Sequence, residues 1–193
     1  MNIKIVRIMA RFGTSSSVIG AAMVTLSIIM TPSWSIKEPL SNLGTGEFGS
    51  MIFNSGLLMA GSLAMLFAAG LFEFTKGDTI GQIGSAAFLG YAISTCAVGV
   101  VIIDLGALHD QFAFALFSMI PISAALVSFS LYKMGLMKHA SLGALAAMIG
   151  VIPWVMGGPV DAVKEIIAIL PFSVWQIALG LHMHGLEEPN EWD

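Results

Sequence analysis

Six long stretches of this chain contain no Asp, Glu, Lys, Arg or His, at residues 12–30, 49–72, 80–103, 112–132, 142–156 and 166–181. A helix that crosses a bilayer needs about 20 predominantly apolar residues, whereas a strand or an ordinary core helix needs far fewer. Runs of this length leave one economical solution. Lipid offers no partner for a bare amide or carbonyl, so each run must close its own backbone hydrogen bonds as a helix. Composition agrees: 56% of the residues are hydrophobic and 10% are charged, against about 25% charged in a soluble domain. Mean hydropathy is +0.88. The predicted fold class is therefore all-α, a polytopic bundle of six transmembrane helices.

Length sets the domain organisation. Six spans of about 20 residues take roughly 120 residues, and what remains of the 193 supplies connections but no second, soluble domain. The whole of 1–193 reads as one transmembrane domain, with 183–193 as an acidic cytoplasmic tail. The fifth run is short in its strict form. Adding Ala140, Ser141 and the Gly157-Gly158 step widens it to about 140–158, and the sixth extends to about 182. Lys4, Arg7 and Arg11 ahead of the first run give it the look of a secretory signal. The segment Thr31-Pro32-Ser33-Trp34-Ser35 is a poor small-x-small cleavage site, so that run is expected to be kept as the first helix.

Orientation follows from the basic residues, because positive flanks stay cytoplasmic. With the N-terminus inside, Lys4, Arg7, Arg11, Lys76, Lys133 and Lys138 are cytoplasmic, and Lys37 and Lys164 lie outside. Both termini are expected in the cytosol and the chain in the cytoplasmic membrane. Net charge is −4, from 8 basic and 12 acidic residues, with no basic run. That excludes a nucleic-acid partner. Cys96 is the single cysteine, inside an apolar run, and reads as a small buried side chain.

The third run is dense in Gly, Ala, Ser and Thr, from Gly81 and Gly84 to Gly99, which lets neighbouring backbones approach closely. It is expected at the centre of the bundle. Pro121, Pro153 and Pro171 fall inside the fourth, fifth and sixth runs, where a missing amide kinks a helix and can open a cavity. Trp34, Trp154, Trp175 and Tyr132 read as interface or lipid-facing anchors.

Chemistry is scarce within the spans. Proton relays, voltage sensors and ion-coupled carriers rely on ionisable groups at membrane depth, and none is present; the polar exceptions are Asn54, Gln82, Gln176 and some Ser and Thr. Ionisable residues gather instead in the three predicted outer loops: Glu38 and Glu47, then Asp104, His109 and Asp110, then Asp161, Lys164 and Glu165. His109 with Asp104 and Asp110, and with Glu47 as a further oxygen donor, forms a candidate metal site, because imidazole plus carboxylates suits zinc or manganese. The competing reading is a structural hydrogen bond of His109 and solvated carboxylates. His182 and His184 form an HxH pair, but residues two apart on a helix point about 200° from each other and share no ion. These two and His139 read as interfacial and solvated. Asn54 opens the buried part of the second span, and its amide is expected to bond a loop backbone group or to line a polar pocket.

The segments Pro39-Leu40-Ser41-Asn42-Leu43-Gly44 and Phe53-Asn54-Ser55-Gly56-Leu57 resemble an uncharacterised prokaryotic six-span family, the domain of unknown function 998. His109 with Phe112, Ala113 and Phe117, and Glu165-Ile166 opening a span that carries Trp175, resemble it too; Ile166 departs from it, standing where an arginine follows the glutamate. That family is distantly similar to DRAM-type and Sfk-type membrane proteins, which implies a membrane-modulating or lipid-related role and no defined reaction. The resemblance marks Ser41, Asn54, His109 and Glu165 as ligand-pocket or lipid-pocket candidates. A short internal match, Asn42-Leu43-Gly44 against Asp104-Leu105-Gly106, hints at stacked hairpins.

The resulting expectation is a non-catalytic membrane protein that binds lipid, or a membrane-protein partner or second copy of itself, through a polar pocket at the outer margin, with no cofactor. One rival is a metal-assisted hydrolase, with His109, Asp104 and Asp110 on zinc and Glu165 as general base. Another is an uncoupled channel or transporter.

Overall fold

The computed structural model describes residues 1–46 and 48–187. Six helices follow one another: α1 (Ile3–Ile29), α2 (Phe48–Phe74), α3 (Thr79–Val100), α4 (Ala107–Lys133), α5 (Met137–Val155) and α6 (Ala162–His184). All six are long and apolar enough to cross a membrane. Short 3-10 turns at Leu40–Gly44 and Ile103–Leu105 complete the order, and there is no strand among the described residues. α1, α2 and α4 have 27 residues each, about 40 Å at 1.5 Å per residue. Their ends therefore outrun a hydrocarbon layer of about 30 Å. This is why α1 begins at Ile3 rather than Phe12.

Polar residues set several boundaries. Asn2, Asp78 and Asp161 cap α1, α3 and α6, accepting hydrogen bonds from the amides of Ile5, Gly81 and Lys164 and satisfying donors that a helix start leaves open. α5 stops at Val155, so Gly157 and Gly158 belong to the loop and not to the span. Pro121, Pro153 and Pro171 all lie inside their helices.

Short connections make sequence neighbours antiparallel neighbours in space. Each helix packs chiefly on the one before and the one after it, and α6 returns to α1, closing a ring. The third helix is therefore not central. Its small residues serve close approach to α2 and α4: a Cβ on Gly84 would stand 2.8 Å from the amide nitrogen of Val127, and one on Gly99 would stand 2.9 Å from the carbonyl oxygen of Asn54. What fills the axis is aromatic. Phe67, Phe88, Phe172 and Trp175 are all fully buried. Phe88 meets Phe67 edge-on at 5.4 Å and stacks on Phe172 at 5.7 Å, geometries favoured by the ring quadrupoles. Trp175 is thus a core residue and not a lipid-facing anchor, while Trp154 and Tyr132 are exposed on the bundle surface.

Polar groups at depth bond backbone. Gln176 donates to the Gly13 carbonyl at 2.9 Å and Ser16 to that of Ala60 at 2.8 Å; beside the α2–α3 turn, Gln82 donates to the Phe72 carbonyl at 2.6 Å. Two ends result. One carries the start of α1, the end of α6 and the two tight turns; the other carries three longer connections.

Candidate functional site

The three-loop end is built on the Leu40–Gly44 turn. Glu165, in the first turn of α6, accepts a hydrogen bond from the Leu40 amide at 2.5 Å. Nearby, the Ala162 amide donates to the Glu38 carbonyl at 2.9 Å. From the other side, Asn54 on α2 donates its side-chain amide to the Gly44 carbonyl at 3.0 Å. Glu38 accepts from the Asn42 side chain at 3.0 Å, and Trp34 donates to the Pro39 carbonyl at 3.1 Å. Leu40, Leu43, Phe53 and Ala162 form a second small core beneath the turn. The loop is thus folded down over this end of the ring.

Three of the residues singled out in the sequence meet here. Ser41 lies half-buried on the turn itself, and Asn54 and Glu165 pin the turn from opposite helices. His109 lies near the start of α4, on the far side of the Ile103–Leu105 turn. It is buried, and its Nδ1 lies 2.6 Å from the Val101 carbonyl oxygen. A carbonyl only accepts, so that nitrogen carries the proton. Asp104 and Asp110 are exposed. Among the described residues, no three His, Cys, Asp or Glu side chains come together as a metal-ligand group, and Glu47 lies outside those residues. The two stretches matched in the sequence, 42–44 and 104–106, each include residues of a 3-10 turn, and these turns touch at this end.

A cleft that no sequence pattern predicted opens beside the turn. It has a volume of about 100 Å³ and lies between α4, α5 and α6, lined by Phe117, Pro153, Trp154, Val160, Lys164 and Glu165. Trp154 packs edge-on against Phe114 at 5.1 Å. Lys164 is 8% exposed, and its ammonium donates to the carbonyls of Gly157 at 2.9 Å and Pro159 at 2.6 Å. These carbonyls belong to the loop that follows α5, where Gly158 takes φ +89. Of the four pocket candidates, Glu165 lines the cleft; Ser41, Asn54 and His109 do not. Trp154 and Phe117 were not expected beside Glu165, and Lys164 was grouped with it only as a loop residue. The available signal was a Lys-Glu pair opening a helix just after a Pro153 break and a Gly-Gly-Pro loop.

At the opposite end the histidines have partners. The rings of His139 and His182 lie 4.5 Å apart, and His184 Nδ1 lies 3.2 Å from the Arg7 carbonyl oxygen. His182 and His184 diverge, as the helical period requires, yet both are half-buried rather than simply solvated.

No match was found among curated proteins or among solved structures. A family model does match, over residues 16–182. The aligned region takes in the folded loop, the cleft and most of all six helices, so this chain belongs to the family described as proteins of unknown function, DUF998.

Proposed function

We propose that this is a non-catalytic protein of the cytoplasmic membrane, with both termini cytoplasmic, that holds a membrane lipid at its outer margin. The observation that carries this reading is the α4–α5–α6 cleft. Its walls are Phe117, Pro153, Trp154 and Val160, and it ends on the buried Lys164 and Glu165 side chains. Apolar walls with a few convergent polar groups are what an amphiphile needs. At about 100 Å³ the cleft takes only part of a lipid, so the remaining chain stays in the bilayer beside the exposed Trp154. The axis of the ring is packed with Phe67, Phe88, Phe172 and Trp175, which favours binding at the margin over passage through the centre.

Photo-labelling tests the reading. A phosphatidylcholine with a diazirine on its acyl chain is incorporated into nanodiscs with the protein, irradiated, and mapped by peptide mass spectrometry. Labelling is expected to concentrate on the peptides of Phe117 and Trp154 and to fall several-fold in Trp154→Ala. Labelling spread evenly over other lipid-facing positions, such as Leu26 and Phe129, would overturn it.

A further inference from the structure

Lys164 and Glu165 both line the α4–α5–α6 cleft, and each is only 8% exposed. Burying a charge is costly unless an opposite charge or a full set of hydrogen bonds accompanies it. Consecutive residues on a helix point about 100° apart, and these two form no ion pair with each other or with any other described side chain. Their side chains bond backbone alone. The ammonium has three protons, of which two go to the Gly157 and Pro159 carbonyls. The carboxylate accepts from the Leu40 amide through Oε2, while Oε1 accepts from no described residue. One donor on a cation and one oxygen of an anion are thus left over beside a single apolar cleft.

Resting on the reading that this cleft holds a lipid, we infer that the preferred lipid carries a phosphate and a primary ammonium in its headgroup, as an ethanolamine phospholipid does, the phosphate accepting from Lys164 Nζ and the ammonium donating to Glu165 Oε1. Both are charge-assisted hydrogen bonds, the stronger kind, and together they give each buried charge its missing opposite. A choline headgroup has no N–H to donate and carries three methyl groups in its place, so it satisfies Lys164 alone. A glycerol headgroup brings its phosphate beside the Glu165 carboxylate with no second cation. The cleft therefore distinguishes lipids by headgroup even where their acyl chains are the same.

Competition against the photo-label tests it. The full chain is placed in dioleoylphosphatidylcholine nanodiscs with a trace of the diazirine phosphatidylcholine, and half of the host lipid is replaced by dioleoyl-phosphatidylethanolamine or dioleoyl-phosphatidylglycerol. Labelling of the Phe117 and Trp154 peptides is read relative to the Leu26 and Phe129 peptides, which cancels changes in the bilayer itself. One charge-assisted bond is worth about tenfold in affinity, so the ethanolamine lipid is expected to cut cleft labelling about fivefold and the glycerol lipid less than about twofold. Glu165→Gln keeps an acceptor for the Leu40 amide but loses the charge, and is expected to shrink the ethanolamine effect to less than about twofold; thermal unfolding checks its fold, and the wild-type comparison stands without it. Equal competition by the two lipids overturns the inference, as does an undiminished ethanolamine effect in folded Glu165→Gln. Cleft peptides labelled no more than the Leu26 and Phe129 peptides, even in pure phosphatidylcholine, would instead defeat the lipid reading itself. Soluble phosphoethanolamine separates the sources: competition as strong as that of the lipid at equal total concentration would mean a site for the free head and would overturn the lipid assignment.

Discussion

The two ends of this bundle use their charged side chains differently. At the three-loop end, polar side chains are buried or half-buried and bonded to distant backbone: Glu165 to Leu40, Asn54 to Gly44 and His109 to Val101. At the end that carries the start of α1 and the end of α6, His184 and Arg7 also bond backbone, but the acidic side chains there form ion pairs near the surface. Lys133 pairs with Asp78, and Lys76 lies 3.6 Å from Glu73. The difference follows from the connections. The tight turns leave few backbone groups unpaired, whereas the long segment between α1 and α2 brings amides and carbonyls to the bilayer margin, where water is scarce and an unpaired group is costly. A polar residue at the loop end is thus a structural tie first, and it can serve a ligand only if some polar atoms are left over. Lys164 and Glu165 are ties of this kind that also line the cleft.

That contrast can be broken by mutation. Glu165→Ala is expected to have the largest effect, because it strands the buried Leu40 amide. Leaving a buried donor unsatisfied costs about 1–3 kcal/mol, which corresponds to a fall of roughly 3–10 °C in Tm for a chain of this size. Glu165→Gln, which keeps an acceptor oxygen, should recover much of the loss; equal losses in both variants would show that the Leu40 bond is not what matters. Thermal unfolding in detergent reads both.

Asn54→Leu comes next. It removes the donor to the Gly44 carbonyl, at an expected cost of about 1 kcal/mol for a half-buried neutral bond. The loosened turn should become a protease site, so limited proteolysis of intact nanodiscs is expected to cut within 40–46 in the variant and not in the wild type. Protection unchanged from wild type would show that Glu165 alone holds the turn down.

Lys164→Met tests the loop after α5 in the same way. With the ammonium gone, the carbonyls of Gly157 and Pro159 lose their shared donor. Amide hydrogen exchange across 156–161 is expected to speed up several-fold while exchange in α2 stays as it was. Faster exchange throughout the protein would instead make Lys164 a global stability residue.

At the other end, Lys133→Met should change Tm by no more than about 1 °C, since exposed ion pairs contribute little. Its signature is in the titration. The hydrogen bond from Lys133 holds the Asp78 carboxyl below the usual carboxylate range. A lowered folded-state value means that any stabilisation is present above the ordinary Asp range and is lost as pH falls through the lowered value. In the variant the Asp78 titration, followed by NMR, should move up toward the ordinary value, and no movement would dissociate the two residues. A Tm loss matching that of Glu165→Ala would abolish the contrast between the ends.

The sequence by itself determined six helices, because an uncharged run of spanning length has only one way to satisfy its backbone in lipid. It also determined that the ionisable residues gather at the helix ends and in the loops, since hydrocarbon excludes them. The family resemblance marked Ser41, Asn54, His109 and Glu165, and the predicted connectivity placed them near the outer loops; the structure ties Asn54 and Glu165 to the turn that carries Ser41. The inward face of each helix was decided only by the tertiary structure. In a soluble helix the apolar stripe marks that face, but here the lipid-facing side is apolar too and the contrast disappears. Hence Trp175 lies in the core where an anchor was expected, and α3 takes a place in the ring rather than at its centre. The same reason hid the cleft. Glu165 and Leu40 are separated by 125 residues, and the inward turn of Lys164 depends on where the loop after α5 places two carbonyls. Such pairings arise from the closing of the ring, which no local periodicity records.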